Sequence, residues 1–263
     1  MEEKTTGKMM EDPMNEIAAL NTVSDPGHRH VLRRVVALDD GETVYLVMPK
    51  VDEGDQGWPK VDERCQGWNK ISLEEIKTGR KLFRQVVEGM EHVHSKGICH
   101  NRICLENVLF DESRQKAYII NFGWSFRMPV DDERRRLKYV PRRAKDFYSS
   151  PETLEGKAYD GVKADVFAAG AMLFRMLFDA HTSTDTLSFR NKFKRLILEE
   201  KVAEEIGLEK LEWYIPDGEK VLKMLEQAAA LLGKMMDPKP EHRPTLDEVL
   251  ERTHGWRLES EVD

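Results

Sequence analysis

Side chains that could take part in chemistry are concentrated in one stretch, GICHNRICLENVLF, at positions 97 to 110. Asn107 offers an amide oxygen that can bind a metal ion, whereas Arg102 cannot accept a proton at any reachable pH. The cysteines and the histidine of the stretch are metal-binding residue types, but their spacing matches no standard zinc pattern. We therefore predict no metal site here, and we ask which elements hold Arg102 and Asn107 in place.

A long helix leads into this stretch. Ser72 and Glu75 have the spacing of a capping box, which marks a helix start, and Gly97 is the residue type that commonly ends one. Between them the apolar residues recur with helical spacing: Leu73, Ile76, Leu82, Phe83, Val86, Val87, Met90 and Val93. Short strands NVLF and KAYII follow the stretch and precede the tripeptide NFG at 121 to 123.

The residues before this helix predict a short helix and a hairpin. Ile17, Leu20 and Val23 keep helical spacing. The runs VLRRVVAL (31 to 38) and TVYLVM (43 to 48) are strand-like, and the DDGE between them is typical of a hairpin turn.

A decapeptide is duplicated at residues 51 to 70, as VDEGDQGWPK and then VDERCQGWNK. Two copies are too few for a solenoid, so the pattern favours a surface loop. In an alternative interpretation, Trp58 and Trp68 are exposed anchors for a partner protein.

The remaining chain is helical. A nearly apolar run follows Asp165, helices are predicted at about 188 to 199 and 219 to 236, and Thr245 with Glu248 forms a second capping box. Strands first and helices later predict an α+β fold.

Composition limits the classes of function. The net charge of −7 argues against a nucleic-acid backbone as the main partner, and the apolar run at 166 to 178 is too short to span a membrane. Three cysteines are too few for a disulfide framework and indicate a reducing compartment. We expect a cytoplasmic protein, with a secreted effector whose signal segment is absent from this chain as the alternative.

Five motifs in order carry a family resemblance: HSKGICHNRICLENVLF, NFG, SPE at 150 to 152, ADVFAAGAMLF and PEHRPTLDEVL. Together they resemble a protein kinase of the calcium/calmodulin-dependent serine/threonine type over residues 14 to 255. This resemblance implies a kinase-like fold with a mainly helical C-lobe. It also implies a reduced β N-lobe that lacks the strands of the Gly-rich loop, because no G-x-G-x-x-G occurs.

The resemblance assigns structural roles to six residues. Glu152 and Arg243 match a buried ion pair, Asp165 matches the residue that holds the catalytic-loop backbone, and Leu20, His100 and Phe122 match members of the hydrophobic spine. Met48, Val51 and Leu109 match positions around the adenine base. Glu16 matches the helix glutamate of kinases, and we expect it to be solvated because its lysine partner is missing.

At the catalytic positions the residues depart from the family. Arg102 stands in place of the carboxylate that orients the attacking hydroxyl, and Asn121 in place of the aspartate that holds magnesium. Asn107 matches the second metal ligand. These departures predict a pseudokinase that is not an enzyme, with no cofactor and with weak or absent binding of ATP and Mg²⁺.

The sequence therefore predicts a kinase-like scaffold or allosteric regulator that binds a protein, either an active kinase or a kinase substrate. The alternative is an atypical nucleotide-dependent transferase that uses a rearranged kinase site. The expected organisation is a tail (1–13), a reduced N-lobe of one helix and two strands (14–50), the duplicated loop (51–70), a helical C-lobe (71–256) and a second tail (257–263).

Overall fold

The computed structural model describes residues 13–52, 73–111, 115–128, 148–155, 158–178 and 218–254. The helices are α1 (Pro13–Val23), α2 (Leu73–Ser95), α3 (Pro151–Leu154), α4 (Gly161–Phe178), α5 (Gly218–Met235) and α6 (Leu246–His254). The strands are β1 (Val36–Asp39), β2 (Val44–Val47), β3 (Ile98–Cys99), β4 (Val108–Asp111), β5 (Lys116–Ile119) and β6 (Phe126–Arg127). This mixture confirms the α+β class. Trp58, Trp68 and the helix predicted at 188 to 199 lie outside the described residues.

Helices α2 and α4 form the centre of the core. The predicted apolar stripe of α2 is buried from Ile76 to Val93, and α4 packs against both α2 and α5. Helix α4 is buried nearly all round, as its continuous apolar run predicts for the axis of a folded domain. Within the described ranges, no helix has the length and apolarity needed to cross a bilayer.

The predicted hairpin is confirmed for β1 and β2, which pair in antiparallel register with Leu38 opposite Tyr45. Its turn is held by Asp40, whose Oδ1 accepts hydrogen bonds from the backbone N–H of Glu42 and Thr43 at 3.0 and 2.7 Å. Gly41 lies at φ +89°, a backbone conformation that glycine adopts without the usual steric cost.

The run predicted as one strand over 31 to 38 divides in two. Val31 forms a parallel bridge with Ile119 of β5, and Leu32 N–H donates to the Ile119 carbonyl at 3.0 Å. Only the second half of the run pairs with β2. Packing explains the division, because Val31 and Leu32 are buried beside β5, whereas Arg33 is exposed.

Helix α6 begins at the predicted capping box. Thr245 N–H donates to Glu248 Oε2 at 2.7 Å, and Glu248 N–H donates to Thr245 Oγ1 at 3.2 Å. These two bonds satisfy backbone donors that the first turn of a helix leaves unpaired. The bond from Thr245 N–H also lowers the pKa of the Glu248 carboxyl.

Candidate active site

The loop that follows α2 is held by one buried carboxylate. Gly97 ends the helix at φ +72°, and β3 then pairs with β6. Asp165 of α4 is 1% exposed and accepts hydrogen bonds from the backbone N–H of His100 at 2.8 Å and of Asn101 at 2.7 Å. This carboxylate thus fixes the loop at its first two residues.

His100 lies in the core beneath the loop. Its Nε2 lies 3.0 Å from the Ile120 carbonyl, and its ring packs edge-on against Phe122 at 4.9 Å between centroids. Leu20 of α1 is buried in the same hydrophobic cluster as Phe122. Burial lowers the pKa of His100, so the ring is neutral at pH 7 and serves packing.

Hydrogen bonds join Arg102, Asn107 and Asn121, the three residues at the catalytic and metal-binding positions of the kinase pattern. Asn107 Nδ2 donates to the Arg102 carbonyl at 2.8 Å, and Asn121 Nδ2 donates to Asn107 Oδ1 at 3.2 Å. The amides of Asn107 and Asn121 therefore lie side by side. Asn121, two residues after the end of β5, has a backbone φ of +64°.

The Arg102 side chain lies on an aromatic ring. Its guanidinium carbon is 4.8 Å from the ring centroid of Trp124, a cation–π distance, and Trp124 is almost fully buried. Asn101 fixes the segment that bears this ring, because its Nδ2 donates to the Trp124 carbonyl at 3.2 Å. Tyr159 Oη in turn donates to Asn101 Oδ1 at 2.9 Å.

Helix α1 clamps the NFG segment. Asn15 Nδ2 lies 3.4, 3.3 and 2.7 Å from the carbonyls of Phe122, Gly123 and Ser125, and Glu16 Oε1 accepts from Phe122 N–H at 3.2 Å. The expectation that Glu16 is solvated is therefore wrong. It has a backbone partner that does not depend on a strand lysine. Sequence reasoning missed Asn15, because its partners lie more than 100 residues away.

A buried ion pair ties the start of α3 to the segment before α6. Arg243 donates from Nη1 to Glu152 Oε1 at 2.6 Å and from Nη2 to Glu152 Oε2 at 2.8 Å. Its Nε also donates to the Asp237 carbonyl at 2.8 Å, and its guanidinium lies 5.0 Å from the Phe167 ring. The arginine is 2% exposed, so its charge is balanced almost entirely by these groups.

Tyr148 connects the segment before α3 to the loop that follows α2. Its hydroxyl oxygen accepts from Arg175 Nη1 at 3.1 Å and faces Leu105 N–H at 3.4 Å. Burial raises the pKa of this phenol, so it is un-ionised at pH 7. The tyrosine is almost fully buried, so its hydroxyl is enclosed.

The three residues predicted to border the adenine base lie on two segments of the chain, the residues after β2 and strand β4. Met48 follows β2 and is 36% exposed, Val51 is half-buried three residues later, and Leu109 is a half-buried residue of β4 opposite Tyr118.

One group of potential metal ligands occurs in the described part of the chain. His94, Cys99 and Asp165 place their ligand atoms within 4.8 Å of one another. The carboxylate already accepts three hydrogen bonds, one of them with His94 Nε2 at 2.9 Å. Burial, followed by the charges of Asp165 and Asp160, raises the pKa of the Cys99 thiol, so it stays protonated. These residues therefore join α2, β3 and α4 through hydrogen bonds and packing.

The catalytic-loop frame, the NFG segment under α1 and the ion pair between α3 and the segment before α6 define a protein kinase domain. A family model of the protein kinase domain matches residues 1–256, and the chain therefore belongs to this family.

The curated relatives described here are plant protein kinases. Serine/threonine-protein kinase SRK2C of Arabidopsis thaliana is 29% identical over 69% of this chain and 48% of its own length. Serine/threonine-protein kinase SAPK2 of Oryza sativa subsp. indica is 29% identical over 69% of this chain and 48% of its own length. The abscisic acid-inducible protein kinase of Triticum aestivum is 28% identical over 68% of this chain and 49% of its own length. The chain thus spans about half the length of the relatives it matches. The calcium/calmodulin-dependent type is not confirmed by these names.

Two predictions are corrected by this result. The prediction that the chain is not an enzyme is contradicted by the match to the kinase domain and by relatives that are named serine/threonine-protein kinases. The prediction of no cofactor is contradicted on the same ground, because kinases of this family use ATP and Mg²⁺. The physical reason is that phosphoryl transfer depends on positioning and electrostatics across a whole site. The absence of carboxylates at positions 102 and 121 does not by itself decide whether the chain is an enzyme.

The residues at the site are compatible with a magnesium–nucleotide complex. Asn107 and Asn121 each carry a neutral amide oxygen, and Mg²⁺ in such sites keeps several waters and takes other ligands from the phosphates. Neutral ligands leave more of the ion's charge to be balanced by the phosphates than carboxylates would.

Proposed function

We propose that this chain is a nucleotide-dependent protein phosphotransferase with a rearranged kinase site. The observation that carries the proposal is the hydrogen-bonded chain from the Arg102 carbonyl through Asn107 to Asn121. It supports a site in which two amides and an arginine stand together at the positions that carry out phosphoryl transfer in the family.

In this proposal Asn107 and Asn121 hold the metal ion. The bound magnesium–ATP complex supplies the phosphoryl group and neutralises part of its charge. Arg102 contributes a fixed positive charge, and a positioned arginine is known to stabilise the charge of a transferring phosphoryl group. Its contact with Trp124 limits the orientations of the guanidinium before substrate arrives.

Glu106 is the carboxylate that we assign to the acceptor hydroxyl. It neighbours Asn107 in the 3₁₀ turn, and its side chain is 51% exposed, with Oε1 at 4.0 Å from Arg175 Nη1. A positioned carboxylate can accept or orient a proton, which typically contributes a factor of about 10² to 10⁴ in rate.

The upper part of the site is assigned to α1 and the β1–β2 hairpin, which would act as a reduced N-lobe. Contacts of Asn15 and Glu16 with the NFG segment support this arrangement. Met48, Val51 and Leu109 would then border the nucleotide base.

The experiment follows transfer of labelled γ-phosphate from ATP to protein acceptors. Glu106→Gln is expected to lower the rate at least about a hundredfold, because the amide cannot accept the proton. Glu251→Gln, at an exposed position of α6, is the matched control and should keep the wild-type rate. A wild-type protein without measurable transfer, or equal rates for the two variants, would contradict the proposal.

A second candidate function is protein binding as a scaffold or allosteric regulator. The outer face of the hairpin favours it, because Leu38, Tyr45 and Val47 share one face and are 53%, 51% and 41% exposed. Adjacent exposed apolar residues are typical of interaction sites. The double variant Leu38→Ser with Tyr45→Ser should abolish capture of the partner, an active kinase or a kinase substrate, while leaving the melting temperature unchanged. Retained capture would exclude this surface as the binding site.

A further inference from the structure

A cavity of about 700 Å³ lies between α2, the start of β5, the end of α6 and the segment before β1. We call it the basic cavity. Six of its lining residues are cationic, Arg29, Lys77, Arg80, Lys81, Arg84 and Lys116, and Glu88 is the one carboxylate among those that the structure describes around it. Its lining includes no residue that we place in the candidate active site.

The concentration of positive charge is unusual for this chain, which has a net charge of −7. Arg29 is paired with Glu88, with 2.7 Å between Nη2 and Oε2, so part of this charge is already balanced. A concave wall focuses the field of the cations that line it, which favours a multivalent anion. The cations come from three separate parts of the sequence, around residues 29, 77 to 84 and 116. Only the fold brings them together.

The cavity wall is held by internal hydrogen bonds. Arg84 Nη1 donates to the Leu250 carbonyl at 2.9 Å and to Thr253 Oγ1 at 3.1 Å. Gln85 joins α2 to β5, because its Oε1 accepts from Ala117 N–H at 2.8 Å. A ligand that binds here therefore meets arginine side chains and a backbone that are already positioned, which lowers the entropic cost of binding.

The lining also limits the kind of anion. Apart from the charged residues it consists of threonine, glutamine and histidine, and the described lining has no aliphatic residue and no Phe, Tyr or Trp. A peptide groove needs apolar pockets for its anchoring side chains, and single-stranded nucleic acid needs aromatic platforms for its bases. The volume falls within the usual range of a small-ligand pocket, about 300 to 1,000 Å³.

We propose that the basic cavity binds a small polyphosphorylated anion, with three or more phosphate groups, at a site separate from the kinase cleft. Arginine supplies planar bidentate donors for phosphate oxygens, and lysine supplies point charges at the rim. Lys81 is exposed and Lys116 is half-buried, so both can contact a ligand at the opening.

The test is a calorimetric titration of the full chain with inositol hexakisphosphate in the absence of nucleotide. We expect one bound anion per chain and an affinity at least about tenfold weaker in the double variant Lys81→Gln with Lys116→Gln. The matched control, Lys223→Gln with Lys234→Gln, removes two exposed lysines of α5 and should bind as wild type. Circular dichroism checks that both variants fold.

Further titrations decide the source and class of the ligand. Vesicles that carry a polyphosphorylated inositol lipid test whether the phosphates can belong to a headgroup; binding of either form that depends on Lys81 and Lys116 supports the proposal. No binding of either form, equal weakening by the control variant, or tighter binding of an Asp/Glu-rich peptide of equal charge would overturn it.

Discussion

At the scale of single residues, Arg243 shows how burial makes one side chain decisive for stability. The guanidinium is fully enclosed, while its partner Glu152 retains 13% exposure. Desolvating a charge is costly, and here two parallel hydrogen bonds and a backbone carbonyl compensate for that cost.

Removal of one partner should be strongly destabilising. Arg243→Met leaves the Glu152 carboxylate without its main partner, so we expect a loss of roughly 3–5 kcal/mol in the free energy of unfolding, measured with urea. Arg252→Met, which removes an exposed arginine of α6, is the control and should cost less than about 0.5 kcal/mol. In the double variant with Glu152→Leu we expect partial recovery. A single-variant loss below about 1 kcal/mol would show that the pair contributes little.

Residue types could predict some of these partners and not others. The capping box at Thr245 and the turn at Gly41 depend on neighbours in the sequence, so local rules were sufficient for both. The Asn15 contacts with the NFG segment could not be predicted, because nothing in the sequence around Asn15 indicates partners 107 to 110 residues away.

At the scale of elements, the fold depends on how closely α4 and α5 approach. A Cβ atom built on Gly170 of α4 would lie 2.8 Å from Met236 Cγ and 3.0 Å from Met235 Cβ. Gly233 of α5 has open space around it. Close packing therefore favours glycine at position 170, whereas the space around position 233 would admit a side chain.

Alanine at these positions should have opposite effects. We expect Gly170→Ala to cost about 1–3 kcal/mol of unfolding free energy, because the added methyl forces α4 and α5 apart. Gly233→Ala should stabilise by about 0.4–1 kcal/mol, because it reduces the freedom of the unfolded chain and replaces a poor helix former. Paired chemical denaturation curves measure both values. Equal effects of the two changes would contradict the packing described for this interface.

Element predictions succeeded where one periodicity dominated. The apolar stripe predicted α2, and the hairpin followed from its turn residues. The run at 31 to 38 was predicted as one strand, yet its halves pair with different partners, since tertiary packing beside Ile119 outweighs local strand propensity. The two-residue ladder of β3 and β6 is too short to leave a pattern in the sequence.

At the scale of the whole molecule, stability should fall in mild acid because histidines that are buried or half-buried in the fold resist protonation. The pKa of His28 is lowered to about 4, first by burial and then by the nearby His30 and His92. Burial also lowers the pKa values of His30 and His100. In the unfolded chain a histidine binds its proton near pH 6.5.

The direction of this pH dependence follows from the difference in proton binding between the unfolded and folded states. Below pH 6.5 the unfolded state takes up protons that the folded state does not, so stability is complete above this pH and is lost as the pH falls toward 4. His28→Gln should reduce the loss between pH 7 and pH 5 by about 1 kcal/mol, allowing for the partial exposure of the ring. His254→Gln, an exposed control, should not change it. A pH profile unaltered by His28→Gln would contradict this account.

The candidate site was only partly accessible to sequence reasoning. Motif order placed Arg102, Asn107 and Asn121 at equivalent kinase positions, but it could not show that the two amides are hydrogen-bonded to each other or that Arg102 lies on Trp124. The basic cavity was missed for the same reason, because its cations come from segments far apart in the chain.

The most direct test of the rearranged site is nucleotide binding measured by thermal unfolding. Ligand that binds only the folded state raises the melting temperature, by an amount equivalent to roughly 2.7 kcal/mol at a hundredfold excess over the dissociation constant. We expect ATP with Mg²⁺ to raise the melting temperature of the wild type, EDTA to diminish the shift, and Asn121→Asp to enlarge it by adding a carboxylate ligand. A wild-type protein whose melting temperature is unchanged by ATP, with or without metal, would contradict the central claim.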